Sequence, residues 1–197
     1  MRYLYLIMLT TGIAVLSLSC TNEREKQSEP DLSAGEGFIS EETDWKKTLE
    51  TDLNLLGHRN WILVVDKAFP EQSSPGMKYI YVEQDLLPVL GQVLEVLDNS
   101  THVKPIIYQD KELSFITEEQ VSGIETFRSD AIRTLDGREV QTLLHDEVFG
   151  MLDESSSLFR VLVIKTSCTL PYTSVFMQLD CSYWGPENER TLRERMQ

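Results

Sequence analysis

Apolar residues change their spacing along the chain, and each change marks an element. Trp45, Leu49, Leu53 and Leu56 recur three or four apart, the period of one helix face, with Thr43 placed to cap the start and Gly57 to close the end. WILVVD, Trp61 to Asp66, is a continuous apolar run of the kind that becomes a strand buried on both faces. YIYVE, Tyr79 to Glu83, predicts a second short strand. From Asp85 to Asp98, Val89, Leu90, Val93, Leu94 and Leu97 fall on one helix face, and Pro88 fits only a first turn. VKPIIYQ, Val103 to Gln109, reads as a strand. Thr117 and Gln120 have capping-box spacing ahead of Val121, Ile124, Phe127, Ala131 and Leu135, which predicts a longer helix. After an Asp136-Gly137 turn, Glu139 to Leu144 reads as a strand and His145 to Leu152 as a short helix. Leu158 to Ile164 and Ser174 to Trp184 read as the last two strands, and residues 185–197 as a charged tail. Strands interleaved with helices predict a single α/β domain over 45–184, a mixed sheet layered with helices.

The ends of the chain carry a different pattern. Met1 to Cys20 has one basic residue, Arg2, then an apolar stretch that ends in small residues before a cysteine. That is a secretory signal peptide over 1–19 with a lipoprotein-type end, similar to the bacterial lipobox, although Ser17 stands where a leucine is usual. In this reading Cys20 is the lipidated first residue, and the protein is exported and held at a membrane by its lipid. A plain signal peptide cut nearby, or an uncleaved anchor, are the alternatives. The segment 20–44 follows as an acidic linker with eight acids against two bases in Thr21 to Asp44, too charged and too poor in apolar residues to build a core.

Composition narrows the function. Hydrophobic residues make up 41% of the 197, enough for a core, while 18 Lys+Arg against 32 Asp+Glu leave a formal charge of −14. A body so acidic, with no basic stripe, repels phosphate backbones and is not a nucleic-acid binder. Three cysteines (Cys20, Cys168, Cys181) are too few for a disulfide scaffold, and none has zinc spacing with a histidine, so no metal is expected. Cys168 and Cys181 either pair in an oxidising compartment or stay free buried thiols.

Ligands of open α/β sheets collect where strands stop. His58 lies between a helix end and the strand from Trp61, and Asp66 closes that strand before a Phe69-Pro70 turn. Lys165 and Thr166 end another strand, and Pro171-Tyr172 opens the last. Converging on one pocket, an imidazole, a carboxylate, a phenol and an ammonium suit proton shuttling on a neutral polar substrate. Singly, each has a structural reading: a satisfied histidine, an aspartate binding turn amides, a packed Pro-Tyr pair. His102, ahead of a buried strand, is read as structural, and Tyr183 and Trp184 as packing or as a surface on which a ligand stacks.

The stretch LGHRNWILVVDKAFP, Leu56 to Pro70, resembles the opening motif of the D-ribose pyranase / L-fucose mutarotase (RbsD/FucU) family, a Leu-Gly-His before a strand that ends in Asp and a turn with Pro. VIKTSCTLPYTS, Val163 to Ser174, resembles the family's second motif, and LLPVLGQVLEVL and HVKPII fall between them in the right order. The resemblance covers about 51–184. It implies an RbsD-like mixed sheet and a sugar-ring isomerase that interconverts anomers, or pyranose and furanose forms, of a free monosaccharide. No cofactor is needed, because only protons move. It also implies a homo-oligomer with the pocket at a subunit interface. By position, His58 matches the catalytic histidine, and Asp66 and Tyr172 match sugar-contacting or proton-handling residues. Ser174 and Lys165 match substrate-binding positions, the lysine replacing an arginine.

The chain also departs from the family's pattern. Asn60 replaces an acidic residue, and Cys168 a glutamate. Four or five extra residues around DESSS (Asp153 to Ser157) leave either His145 or Asp146 at the position of a second, substrate-binding histidine. A different class stays open beside the enzyme: a non-catalytic lipoprotein that binds a sugar in the same pocket.

Overall fold

A computed structural model of the protein describes residues 42–197. The signal-peptide, Cys20 and linker readings lie outside the described residues, apart from the linker's last three positions. The described elements are α1 (Glu42–Leu53), β1 (Trp61–Val65), β2 (Met77–Tyr81), α2 (Leu86–Asp98), β3 (Val103–Asp110), a short 3-10 turn (Lys111–Phe115), α3 (Ile124–Leu135), β4 (Val140–Leu143), α4 (His145–Leu158), β5 (Val161–Lys165), β6 (Val175–Cys181) and α5 (Pro186–Arg195). The six strands form one mixed sheet in the order β2-β5-β1-β6-β3-β4, with β6 antiparallel to both neighbours and every other pairing parallel. The expected α/β domain with a mixed sheet under helices is therefore present.

Strand alternation sends β1 to both faces of the sheet. Ile62 and Val64 join a core built by α1, α2 and α3, while Trp61, Leu63 and Val65 join a second core under Val148 and Leu152 of α4. All five β1 residues are fully buried, which accounts for the unbroken apolar run. Trp61 stacks on Tyr108 at 5.6 Å and donates its indole N–H to Ser155 Oγ at 3.0 Å. Parallel β1, β3 and β5 and the reversed β6 have one geometric consequence: the carboxyl ends of β1, β3, β4 and β5 and the start of β6 share one edge.

Several boundaries differ from expectation. The helix expected to stop at Leu152 runs on through DESSS, so α4 ends at Leu158, and β5 starts only at Val161. The close fit of α4's end against the chain before β2 fixes that length, since a Cβ on Gly76 would sit 2.2 Å from the Phe159 carbonyl oxygen. Thr117 and Gln120 do bond, through Thr117 N–H to Gln120 Oε1 at 2.9 Å, but they close a turn. The helix begins after Gly123, whose φ of +89° breaks the run. Thr43 lies inside α1 instead of capping it. β6 ends at Cys181 instead of Trp184, and the charged tail is α5. No residue of α5 is buried; Arg190 pairs with Glu187 and Glu194, and Arg193 with Glu189, along its surface.

Candidate functional site

The shared edge gathers most of the expected polar groups. Asp66 follows β1, Ser174 precedes β6, and Asp110 ends β3, so the three flank one another across adjacent strands. Ser174 donates its hydroxyl to Asp66 Oδ2 at 2.8 Å and accepts the Asp66 backbone N–H at 3.2 Å. Asp66 Oδ1 accepts the Ala68 N–H at 2.8 Å, the turn contact that a strand-end aspartate makes. An ionised carboxylate has about four acceptor sites, so Asp66 keeps capacity for a ligand hydroxyl. Lys165, at the end of β5, donates its ammonium to the Phe69 carbonyl at 2.7 Å and holds the turn after β1.

His145 opens α4 at the same edge. Its backbone N–H is taken by both oxygens of Glu112 at 3.1 Å, and its Nδ1 lies 3.0 Å from Asp110 Oδ2. The Tyr172 ring meets the imidazole edge-on with centroids 5.3 Å apart, and Phe149 packs on it at 4.5 Å. Tyr172 adopts a φ of +56°, a left-handed conformation that a bulky residue holds only when its surroundings impose it. Neither Tyr172's hydroxyl nor His145 Nε2 has a hydrogen-bond partner among the described residues.

Asp110 is the group that reading the strand ends missed. Its side chain is 1% exposed, and its Oδ1 has no hydrogen-bond partner among the described residues. Burial pushes its pKa up to about 6; His145 opposes the rise, while Glu112 and Asp66 add to it. The signal was present in the sequence: VKPIIYQD ends in an acid just as WILVVD does.

His58 is not at this edge. It precedes β1, so it and Asp66 flank opposite ends of a five-residue strand that itself spans about 16 Å. There it is exposed, with Nδ1 3.0 Å from Asp180 Oδ1, and Lys104 lies 3.9 Å from the other oxygen of that carboxylate. Within the chain, then, Asp66, Lys165, Tyr172, Ser174 and His145 gather at one edge and His58 stands apart. His145, not Asp146, is the residue that contacts Tyr172. His102 is structural: its Nε2 faces the carbonyls of Leu53 and Leu56 at 3.1 Å each. Cys168 and Cys181 are both free, so the pairing alternative falls. Trp184 donates its indole N–H to Glu189 at 2.8 Å, and Tyr183 is exposed.

A groove of about 400 Å³ lies elsewhere, between α1 and the end of α2, lined by Lys46, Glu50, Glu95, Ser100 and His102. Lys46 and Glu95 pair at 2.8 Å and His102 is fully engaged, which leaves the groove little unspent chemistry. No cluster of three or more His, Cys, Asp or Glu side chains able to hold a metal exists among the described residues. No described helix is long and apolar enough to cross a membrane.

No protein-family model matches the chain, and no curated protein matches it. Solved structures do. Bacillus subtilis RbsD complexed with D-ribose aligns at 20% identity and a TM-score of 0.47, over 68% of this chain and 91% of that one. The fucose mutarotase from Streptococcus pneumoniae in complex with L-fucose aligns at 15% identity and 0.47, over 70% and 91%. FucU from Bifidobacterium longum aligns at 16% and 0.43, over 68% and 94%.

Proposed function

We propose that the chain is a sugar-ring isomerase, a mutarotase or pyranase acting on a free monosaccharide at the edge formed by the ends of β1, β3 and β5. One observation carries the reading: a phenol, an imidazole nitrogen and a carboxylate with spare acceptor sites stand together there, unspent on the protein itself. Such groups suit a guest rich in hydroxyls.

Ring opening needs only protons moved in two places. A base takes the proton of the anomeric hydroxyl, its electrons form the carbonyl, the bond from C1 to the ring oxygen breaks, and an acid protonates that oxygen. Reclosure on either face reverses the roles. Asp66 and Tyr172 are the catalytic candidates on this edge, with Ser174, Lys165 and His145 around the sugar hydroxyls. Tyr172 can give or take a proton through a hydroxyl that no protein group occupies, and Asp66 can orient the substrate through its remaining lone pairs. His58 enters the same site only from a second copy of the chain, so the reading includes a homo-oligomer with shared pockets. Its exposed ring is open to a neighbouring copy, which supports that arrangement.

The test is ring interconversion followed by saturation-transfer NMR on a panel of free monosaccharides that includes ribose and fucose. Exchange above the solvent rate that disappears in Tyr172→Phe and His58→Ala, with folding intact, supports the enzyme. Sugar-dependent stabilisation without exchange makes the protein a sugar-binding module instead. Export and anchoring through Cys20 form part of the same proposal; labelled fatty acid entering the wild type but not Cys20→Ala, in cells of a lipoprotein-processing bacterium, is the expected result.

A further inference from the structure

We propose that Asp110 is a positioning residue that holds His145 with its Nδ1 protonated and its Nε2 directed outward, so that His145 itself moves a proton at this edge. The inference rests on the isomerase reading above and gives His145 a role beyond contact with a sugar hydroxyl.

Three features support it. First, His145 is fixed twice, by Glu112 at its backbone N–H and by Asp110 at Nδ1, so the ring is held in place as well as in tautomer. An imidazole that only filled space would not need two carboxylates, one from the end of β3 and one from the turn after it. Second, Asp110 is among the few buried charged or polar side chains of the described chain, and it has a single partner, His145. Burying a carboxylate is costly, and one oxygen is left with no hydrogen bond at all. That cost is unrelieved by structure and is the kind found where a group serves a reaction. Third, the two rings that bracket the imidazole leave it 38% exposed, with Nε2 without a protein partner.

The chemistry follows from the tautomer. With Nδ1–H donated to Asp110, Nε2 is the basic lone pair and accepts the anomeric proton; the imidazolium then formed is stabilised by the carboxylate behind it, and it returns the proton from Nε2 on reclosure. Asp110 stays unreactive towards the sugar because it is buried. The charged neighbours that set the pair's balance are Glu112 and Asp66, both of which favour the protonated carboxyl, against His145, which favours the ionised one.

The experiment joins nitrogen NMR of histidine-labelled protein with exchange kinetics on the same monosaccharide panel, for wild type, Asp110→Asn and Asp110→Ala. Expected are an Nδ1–H tautomer at His145 in the wild type, loss of that preference in Asp110→Ala, and a fall in kcat of about 100-fold or more with KM little changed. Asp110→Asn, which keeps an acceptor for Nδ1–H, retains the tautomer and an intermediate rate, and it guards against a misfolded alanine variant. A wild type that exchanges sugars while Asp110→Asn and Asp110→Ala keep its kcat and pH profile overturns the role of Asp110 and leaves the isomerase standing. A His145 with Nε2–H in the wild type overturns it as well. Absence of exchange with every sugar in the wild type overturns the isomerase reading itself, and the catalytic pair with it.

Discussion

Replacing Asp110 by Asn should change how stability responds to pH in a calculable way. The native carboxyl keeps its proton up to about pH 6, whereas in the unfolded chain it gives it up near its ordinary value of 3.8. Between those values the native state binds more protons than the unfolded state, so this group makes stability fall as pH rises through the window. The displacement is about two pH units, and at about 1.4 kcal/mol per unit it amounts to roughly 3 kcal/mol between pH 3.5 and pH 7. Asn cannot titrate. It leaves a buried amide N–H without an acceptor where Oδ1 now sits, but that penalty is the same at every pH and shifts the curve without tilting it. Carboxylates such as Glu95, Glu118 and Glu189, whose partners hold them below the usual range, lose stability on acidification in both proteins and cancel in the difference. Thermal melts of wild type and Asp110→Asn at half-unit steps from pH 3.5 to 7.5 provide the measurement. The gap between the two curves should narrow or reverse in the variant's favour by about 6–12 °C as pH rises, at about 2–4 °C per kcal/mol for a domain of this size. Parallel curves would refute the claim that Asp110 sits in a costly, proton-retaining environment.

Other expectations follow from single contacts. Tyr172→Phe should cut sugar exchange by about 100-fold or more and move urea-denaturation stability by less than about 0.5 kcal/mol, because the lost hydroxyl has no hydrogen-bond partner among the described residues. Gly76→Ala should cost more than about 2 kcal/mol in the same assay, since the new Cβ meets the Ser156 and Phe159 carbonyl oxygens at 2.3 and 2.2 Å and both belong to backbone. Leu152→Ala should cost about 2–5 kcal/mol by removing a fully buried side chain from the core under α4. Mixing His58→Ala with Asp66→Asn, each inactive alone, should recover part of the exchange activity if His58 crosses to a neighbouring copy; no recovery places His58 outside the site.

Reading the chain by periodicity located nearly every element but misjudged the ends of several. Periodicity ends the helix at Leu152 and leaves DESSS unassigned between it and the next strand. That segment is helical because α4 must run far enough to bring Ser155 to Trp61 and Ser156 and Phe159 to Gly76, contacts between residues roughly 80 to 95 positions apart. The Thr117–Gln120 pair shows the reverse failure, a genuine local motif whose bonds form while the helix itself waits for Gly123. The C-terminal helix escaped notice because its stability comes from ion pairs along its own surface, with no apolar face to leave a period.

Local physics determined the rest: which runs become buried strands, and that Asp66 and Lys165 stand at strand ends. The grouping of polar side chains did not follow from spacing. Strand order decided it, because inserting the reversed β6 between β1 and β3 brings residues 66, 110 and 174 side by side and the start of α4 over them. The same order sends residue 58 to the far margin of the sheet, although only eight positions separate it from Asp66, because an extended chain carries the two ends of a strand apart by its full length. Which histidine meets the tyrosine is thus a property of pairing between distant strands, and no stretch of sequence short enough to be a motif contains it.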